Sequence, residues 1–367
     1  MSKSNTALFT PIKVGKNELK HRVVLAPLTR FRANEDGTVT DLQKEYYGQR
    51  ASEGGLLISE ATFITRVAGS YYRAPGIYTK EQIETWKKVT DEVHSKGGVI
   101  FLQLWHIGRA AMSAQNLGQQ PVSASDIPIK GINLLGQPLE KPRPLSIPEI
   151  KGVVNDYRQA ALNAVEAGFD GVEIHSANGY LLDQFLNSSS NNRTDIYGGS
   201  PQNRCRMSLE VVDAVAGAIG PERTAIRLSP WSGFQDAEDD TPYETWGHLV
   251  KELQKNQPEL AYVHFIEPRA DFCIDHYEKP ADTLDPFRNE WKGPFIAGGG
   301  YTYHPETAFE VAEKTGSLIS FGRAFIANPD LPERLRNGLP LNNYDRDTFY
   351  TNEPKGYTDY PFYNDKE

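Results

Sequence analysis

Several short apolar runs of the sequence end in side chains that can donate hydrogen bonds or bind anions. His175 and Asn178 stand three residues apart, so both can project from one strand end and donate to a single acceptor oxygen. A histidine in such a position is as often a hydrogen-bonded structural residue. Arg227 ends another apolar run and needs an anionic partner, either a ligand or a buried carboxylate such as Glu173.

Two glycine-containing segments indicate a phosphate site. Gly298, Gly299 and Gly300 follow one apolar run, and Gly322 and Arg323 follow the next. Glycines let backbone N–H groups approach phosphate oxygens, and an arginine adds charge-assisted hydrogen bonds. The glycines alone are also compatible with tight turns. Because the two segments follow consecutive apolar runs, as in the phosphate sites of α/β barrels, we favour phosphate binding.

The elements that must position these residues are eight apolar segments with the pattern of buried parallel strands. They cover residues 23–26, 56–60, 99–104, 171–175, 224–228, 261–265, 295–297 and 318–321. Most are followed by a helical pattern, and this alternation implies a parallel sheet with right-handed crossovers. We therefore predict an α/β fold, a (β/α)₈ TIM barrel, as a single domain over residues 1–367. The polar residues at the strand ends would then share one mouth of the barrel.

Helix signals are strongest at two places. A capping box at Ser146 opens an amphipathic pattern that stops at Gly168, and a similar pattern runs from Thr79 to Gly97. No clean helical period occurs between residues 266 and 291. Residues 8–22 predict a β-hairpin that caps the barrel bottom, and residues 106–145 predict a long excursion over the active-site face after the third strand.

Composition narrows the class of protein. The formal net charge of −9 argues against a general nucleic-acid binder, and no apolar run approaches the roughly 18 residues that a membrane span requires. The two cysteines lack the spacing of a disulfide framework or a zinc site. The first residues lack a secretory or transit pattern, so we expect a cytoplasmic location.

Longer motifs run through the strand ends in a fixed order. They are APLTR at 26–30, QLWHIGR at 103–109, GVEIHSANGYLLDQFL at 171–186, NRTDIYGGS at 192–200, RLSP at 227–230, AGGG at 297–300, FGR at 321–323, NPDL at 328–331 and YDRDTFY at 344–350. Together they resemble the old yellow enzyme family over nearly the whole chain, and the last one is similar to its fungal branch. The block from 175 to 200 is the most specific of these motifs.

This resemblance implies FMN at the barrel mouth. Thr29 would hydrogen-bond a flavin carbonyl, Gln103 would pair with the polar edge of the isoalloxazine ring, and Arg227 would favour the reduced flavin from its N1/O2 side. The glycines at 298–300 and Gly322 would hold the phosphate together with Arg323. Pro27 and Leu28 complete the implied FMN-binding set.

The resemblance also implies NADPH as hydride donor and a small activated alkene as acceptor, using the same site in turn. His175 and Asn178 would bind the carbonyl or nitro oxygen of the alkene, hydride would add to its β carbon, and Tyr180 would protonate its α carbon. Tyr71, Trp105 and Tyr350 would shape the substrate pocket.

Other functions stay open at this level. The same scaffold could serve a flavin-dependent isomerase or tailoring enzyme of secondary metabolism, or a flavin-binding protein without turnover. A metal-dependent hydrolase is disfavoured because no convergent His/Asp/Glu set occurs at the strand ends, and no metal is predicted. The sequence leaves open the physiological alkene, the preference for NADPH over NADH, the choice between monomer and homodimer, and a contact of Phe272 with the flavin.

Overall fold

A closed parallel barrel forms the centre of the protein. The computed structural model describes residues 3, 5–69, 71–131, 138–268 and 282–363. The barrel strands are β3 (Val23–Leu25), β4 (Leu56–Ile58), β6 (Val99–Trp105), β9 (Gly171–Ser176), β10 (Thr224–Leu228), β11 (Tyr262–Ile266), β12 (Phe295–Gly298) and β13 (Leu318–Phe321). They pair in parallel in this order, and the pairing of β13 with β3 closes the ring. All eight predicted strands are confirmed, and no end differs from the prediction by more than two residues.

Ten α-helices lie in the described residues, and most of them follow a barrel strand. They are α1 (Asp41–Arg50), α2 (Lys80–Ser95), α3 (Ile147–Glu166), α4 (Leu181–Leu186), α5 (Pro201–Ile219), α6 (Pro242–Asn256), α7 (Asp285–Glu290), α8 (Pro305–Thr315), α9 (Arg323–Ala327) and α10 (Leu331–Asn337). Both strongly predicted helices are confirmed, since the hydroxyls of Thr79 and Ser146 cap α2 and α3. In the weak sixth unit, the described residues form only the short α7.

A hairpin closes the amino-terminal end of the barrel, as predicted. It consists of β1 (Ile12–Val14) and β2 (Asn17–Leu19), which pair antiparallel. Val14 and Leu19 are fully buried and pack in one apolar cluster with residues at the starts of the barrel strands, including Val24 and Val99. Burial of this apolar face against the barrel interior explains why the hairpin is fixed there.

The long excursion between β6 and α3 lies against the opposite end of the barrel. Its described part includes a short parallel pair, β7 (Val122–Ser123) with β8 (Arg143–Pro144). The Ser123 hydroxyl donates to Gln184 Oε1 over 2.8 Å, which joins the excursion to the segment after β9. A further strand, β5 (Thr62–Phe63), extends the pairing of β6 at this end.

The carboxy-terminal segment is held across the same end by two buried arginines. Arg30 donates to the carbonyls of Phe349 and Gly356 over 3.0 and 2.8 Å. Arg32 donates to the carbonyls of Thr348 and Phe349 over 2.9 and 2.8 Å. A guanidinium presents several donors in a fixed plane, so it can satisfy several carbonyls of an irregular segment at once.

Candidate active site

Three of the predicted site residues meet at the carboxy-terminal mouth of the barrel. Trp105 ends β6, His175 lies near the end of β9, and Tyr180 is the residue that precedes α4. The Tyr180 ring centroid lies 4.9 Å from that of Trp105 and 5.1 Å from that of His175, edge-on in both cases. Trp105 and His175 lie nearly parallel, 6.3 Å apart. Adjacent pairing of β6 with β9 brings these rings together.

His175 and Asn178 are buried polar side chains with unmet hydrogen-bonding capacity. Among the described residues, neither His175 Nδ1 nor Asn178 Oδ1 has a partner. Burial, with the nearby charge of Arg227 and His264, holds the pKa of His175 well below its ordinary value. The imidazole is therefore neutral at physiological pH and offers one N–H donor. Buried polar atoms left without partners are costly, so they point to a ligand.

Tyr180 keeps its proton over the whole physiological range. Burial raises its pKa well above the ordinary value of a phenol, and the neighbouring phenols of Tyr71 and Tyr350 add to the shift. Burial also raises the pKa of Tyr71, to about 12. The mouth of the barrel therefore contains a protonated phenol beside a neutral imidazole, and the phenol can serve as a proton donor.

Aromatic rings continue from this cluster to the surface. Tyr71 lies 5.4 Å from Trp105, Phe31 lies 6.2 Å from Tyr71, and Tyr350 lies 5.6 Å from Phe31, measured between ring centroids. Phe63 stacks on Trp105 at 5.0 Å. Tyr350 is 58% exposed, so it stands at the rim. The three predicted pocket aromatics are thus connected, and Phe31, which sequence reasoning missed, links two of them.

A buried polar chain lies across the barrel interior beneath the mouth. Gln103 Nε2 donates to Glu173 Oε1 over 2.7 Å, Glu173 Oε2 lies 2.8 Å from His264 Nδ1, and His264 Nε2 lies 2.9 Å from Ser320 Oγ. Although burial opposes ionisation, His264 and Arg227 hold the pKa of Glu173 below its usual value. Glu173 is therefore a buried carboxylate, and Gln103 is a fully buried residue, not an ordinary rim side chain.

Arg227 does not use Glu173 as a hydrogen-bond partner. The two carboxylate oxygens bond to Gln103 and His264, and Arg227 Nε is buried without a partner among the described residues. Glu173 acts on Arg227 only through its negative charge, without a hydrogen bond. Burial lowers the pKa of Arg227, and the charge of Glu173 opposes this shift. The guanidinium remains available to an anionic or carbonyl-bearing ligand.

The glycine segments come together with the segment after β3, because β12, β13 and β3 are neighbours in the barrel. Gly299 and Gly300 have φ of +106° and +79°, a region that only glycine enters readily. A Cβ on Gly322 would lie 3.3 Å from Leu28 Cδ2, so these two segments touch. Arg323 Nη1 donates to the Tyr303 hydroxyl over 2.9 Å, which identifies Tyr303 as a further residue of this region.

This arrangement fits FMN. The isoalloxazine ring presents carbonyl oxygens and ring nitrogens that match the orphaned Arg227 Nε and the amide of Gln103 at the barrel mouth. Pro27 is buried, and Leu28 and Thr29 are half-buried. Leu28 lies beside Gly322, in the region that would hold the phosphate. Phe272 lies outside the described residues.

Sequence reasoning also missed residues that support the site from neighbouring strands. His264 could have been recognised because a histidine inside the apolar strand β11 must find a buried polar partner. Ser229 and Gln235, which follow β10, contact the backbone of Asn178. Ser229 lies in the RLSP motif, but no local pattern predicts the contact of either residue with Asn178, because these contacts join segments about 50 residues apart in the chain.

Comparison with known proteins agrees with this geometry. The NADH:flavin oxidoreductase / NADH oxidase family matches residues 7–342. The flavin oxidoreductase hxnT of Emericella nidulans is 49% identical, with 97% of each chain covered. The 12-oxophytodienoate reductase 1 of Oryza sativa is 50% identical over 97% of this chain and 93% of its own length.

Solved structures show the same architecture. Morphinone reductase superposes with a TM-score of 0.90 at 46% identity, covering 99% of this chain and 98% of its own. The old yellow enzyme homologue from Zymomonas mobilis also has a TM-score of 0.90, at 41% identity over 96% and 99% of the two chains.

The fold and the mouth define an α/β-barrel flavin enzyme. The chain belongs to the NADH:flavin oxidoreductase / NADH oxidase family and is a homologue of old yellow enzymes. It is an FMN-binding oxidoreductase that uses a nicotinamide coenzyme. No described helix has the length and apolar character needed to cross a membrane.

Proposed function

We propose that the protein is an ene-reductase that oxidises NADPH and reduces the C=C bond of an α,β-unsaturated carbonyl or nitro compound. FMN held at the barrel mouth would supply the hydride chemistry that links oxidation of the nicotinamide to reduction at the β carbon of the alkene. The observation that carries this proposal is the pair of buried polar side chains, His175 and Asn178, beside a protonated phenol, Tyr180. Reduction of an activated alkene needs donors for one oxygen and an acid for one carbon.

His175 and Asn178 would polarise the substrate. His175 would donate a ring N–H, and Asn178 an N–H of its Nδ2 amide, to the carbonyl or nitro oxygen of the substrate. The neutral state of His175 makes it a hydrogen-bond donor without a fixed positive charge. Donors held in a buried site stabilise developing negative charge on the oxygen more strongly than water does.

Tyr180 would supply the proton to the α carbon. Its ring is held by the edge-on contacts with Trp105 and His175, so the hydroxyl has a defined place in the mouth. Tyr71, Trp105 and Tyr350 would contact the remaining apolar part of the substrate. Their connection through Phe31 to the rim supports this assignment.

The remaining predicted residues would hold the cofactor. Thr29, Gln103 and Arg227 would face the flavin ring, with Pro27 and Leu28 beside it. The phosphate would bind at Gly298, Gly299, Gly300, Gly322 and Arg323. Support comes from the positive φ of two of these glycines and from the adjacency of their segments.

A turnover assay on the holoprotein tests the proposed function. Under anaerobic conditions the protein should oxidise NADPH in proportion to cyclohexenone added, and cyclohexanone should accumulate in equal amount. An isomerase would convert the enone without consuming NADPH, and a flavin-binding protein without turnover would bind FMN but consume neither compound. Either of the last two results would replace the proposal by that alternative.

Ligand binding tests the donor pair separately from turnover. A phenolate such as that of 4-chlorophenol resembles the enolate oxygen, and on the oxidised protein it should produce a long-wavelength charge-transfer band. Replacing His175 and Asn178 together with apolar residues should abolish the band while FMN remains bound. A band that persists in this double variant would mean that the anion binds elsewhere.

A further inference from the structure

The turn that carries Asn178 has a backbone that needs external support. Asn178 and Gly179 have φ of +59° and +72°, so two consecutive residues are in the left-handed region. Asparagine tolerates this region better than most residues, but the conformation still costs free energy. Such a conformation persists where the surroundings over-determine it. Tyr180 follows directly, so the turn sets the positions of the donor and of the acid.

All four backbone polar groups of this turn are bonded to side chains. The Asn178 N–H donates to Ser229 Oγ over 2.7 Å, and the Asn178 carbonyl accepts from Gln235 Nε2 over 3.2 Å. The Gly179 N–H donates to Asp183 Oδ2 over 2.8 Å, and the Gly179 carbonyl accepts from Gln184 Nε2 over 2.8 Å. Side chains thus replace the backbone partners that a regular element would provide.

The four side chains hold the turn from two sides. Asp183 and Gln184 lie in α4, directly after the turn, whereas Ser229 and Gln235 follow β10. A Cβ on Gly179 would lie 2.7 Å from the Phe234 carbonyl oxygen, so the segment after β10 packs closely on the turn. The turn is therefore held between α4, which follows it, and the segment after β10.

Asp183 is the ionisable member of this set. It is fully buried, and its Oδ1 has no partner among the described residues. Burial raises its pKa to about 7. A carboxyl group is costly in such a place, and stability alone would favour a smaller or apolar residue. What the carboxyl group does in this place is accept the Gly179 N–H and so stabilise the turn.

We propose that Asp183, assisted by Ser229, is a positioning residue that fixes the left-handed turn and thereby aims Asn178 and Tyr180 at the substrate. The inference rests on the proposed function, which assigns Asn178 as the donor and Tyr180 as the acid. Neither Asp183 nor Ser229 needs to touch the substrate. Their effect passes through the backbone between residues 178 and 180.

Phenol binding to the FMN-loaded protein tests this inference. Asp183→Ala removes the acceptor of the Gly179 N–H. It should raise the dissociation constant of 4-chlorophenol on the order of ten- to a hundredfold, because a group that contacts the ligand would be displaced. Asp183→Asn retains an acceptor oxygen and should restore binding to within about threefold of wild type. Ser125→Ala is the matched control: this buried serine accepts the Asn192 N–H over 2.9 Å, is not among the side chains bonded to the turn, and its replacement should leave binding unchanged.

Ser229→Ala is a milder second variant, because it keeps the side-chain volume and deletes only the acceptor of the Asn178 N–H. It should weaken phenol binding several-fold even if Asp183→Ala does not hold FMN. Wild-type affinity in both Asp183→Ala and Ser229→Ala would overturn the inference. A wild-type protein that binds 4-chlorophenol but does not oxidise NADPH with cyclohexenone would instead refute the proposed function, so the two failures are distinguishable.

Discussion

Replacing Tyr180 with phenylalanine removes one hydroxyl and keeps the ring. The edge-on contacts of this ring with Trp105 and His175, at 4.9 and 5.1 Å, should survive, so fold and FMN content should not change. The proposed proton donor to the α carbon is lost. General-acid catalysis typically contributes about 10²- to 10⁴-fold, which corresponds to roughly 2.7 to 5.5 kcal/mol of barrier. Reoxidation of the reduced protein by cyclohexenone should slow by that factor.

Reduction of the flavin by NADPH requires no proton transfer to a substrate carbon, so its rate in Tyr180→Phe should stay close to wild type. Anaerobic stopped-flow absorbance at the flavin band measures the two half-reactions separately. A nitroalkene, whose product can be protonated by solvent, should lose less than the enone. Equal losses in both half-reactions would indicate general damage to the pocket, and an unchanged rate with cyclohexenone would show that Tyr180 is not the acid.

Three further outcomes follow from the site and its surroundings. Because the pKa of Tyr180 is raised, the enone half-reaction should stay flat from pH 6 to about 9; a fall near neutral pH would assign the proton to another group. Arg323→Ala should raise the dissociation constant of FMN about tenfold or more by fluorescence titration, and unchanged affinity would place the phosphate elsewhere. Burial raises the pKa of Glu60 from 4.5 to about 7, so the folded state binds an extra proton in that window and stability falls as pH rises through it. Glu60→Gln should therefore gain up to about 3 kcal/mol over wild type between pH 4.5 and 7 in denaturant titrations, whereas a pH-independent difference would contradict burial as the cause.

Local pattern determined the barrel and the location of its mouth. Buried parallel strands are apolar on both faces, so each of the eight could be recognised as a short apolar run, and the glycine, proline and capping residues marked the ends of α2 and α3. The rule that strand ends gather at one mouth then brought His175, Tyr180 and Trp105 together. The exact end of each strand was not predictable from the run alone, because the pairing partners decide where hydrogen bonding stops.

The sequence by itself determined which residue types carry the chemistry, since a strand end that breaks an apolar pattern with His, Arg or Gln is visible without a structure. Only the tertiary structure decided their partners. Glu173 bonds to Gln103 and His264 and leaves Arg227 Nε unmatched, and the side chains of Ser229 and Asp183 complete the turn at Asn178. Except for the contact of Asp183 with Gly179, four residues away, these contacts join segments that are distant along the chain and are brought together by the barrel. Their geometry depends on the closed ring, which no local pattern records.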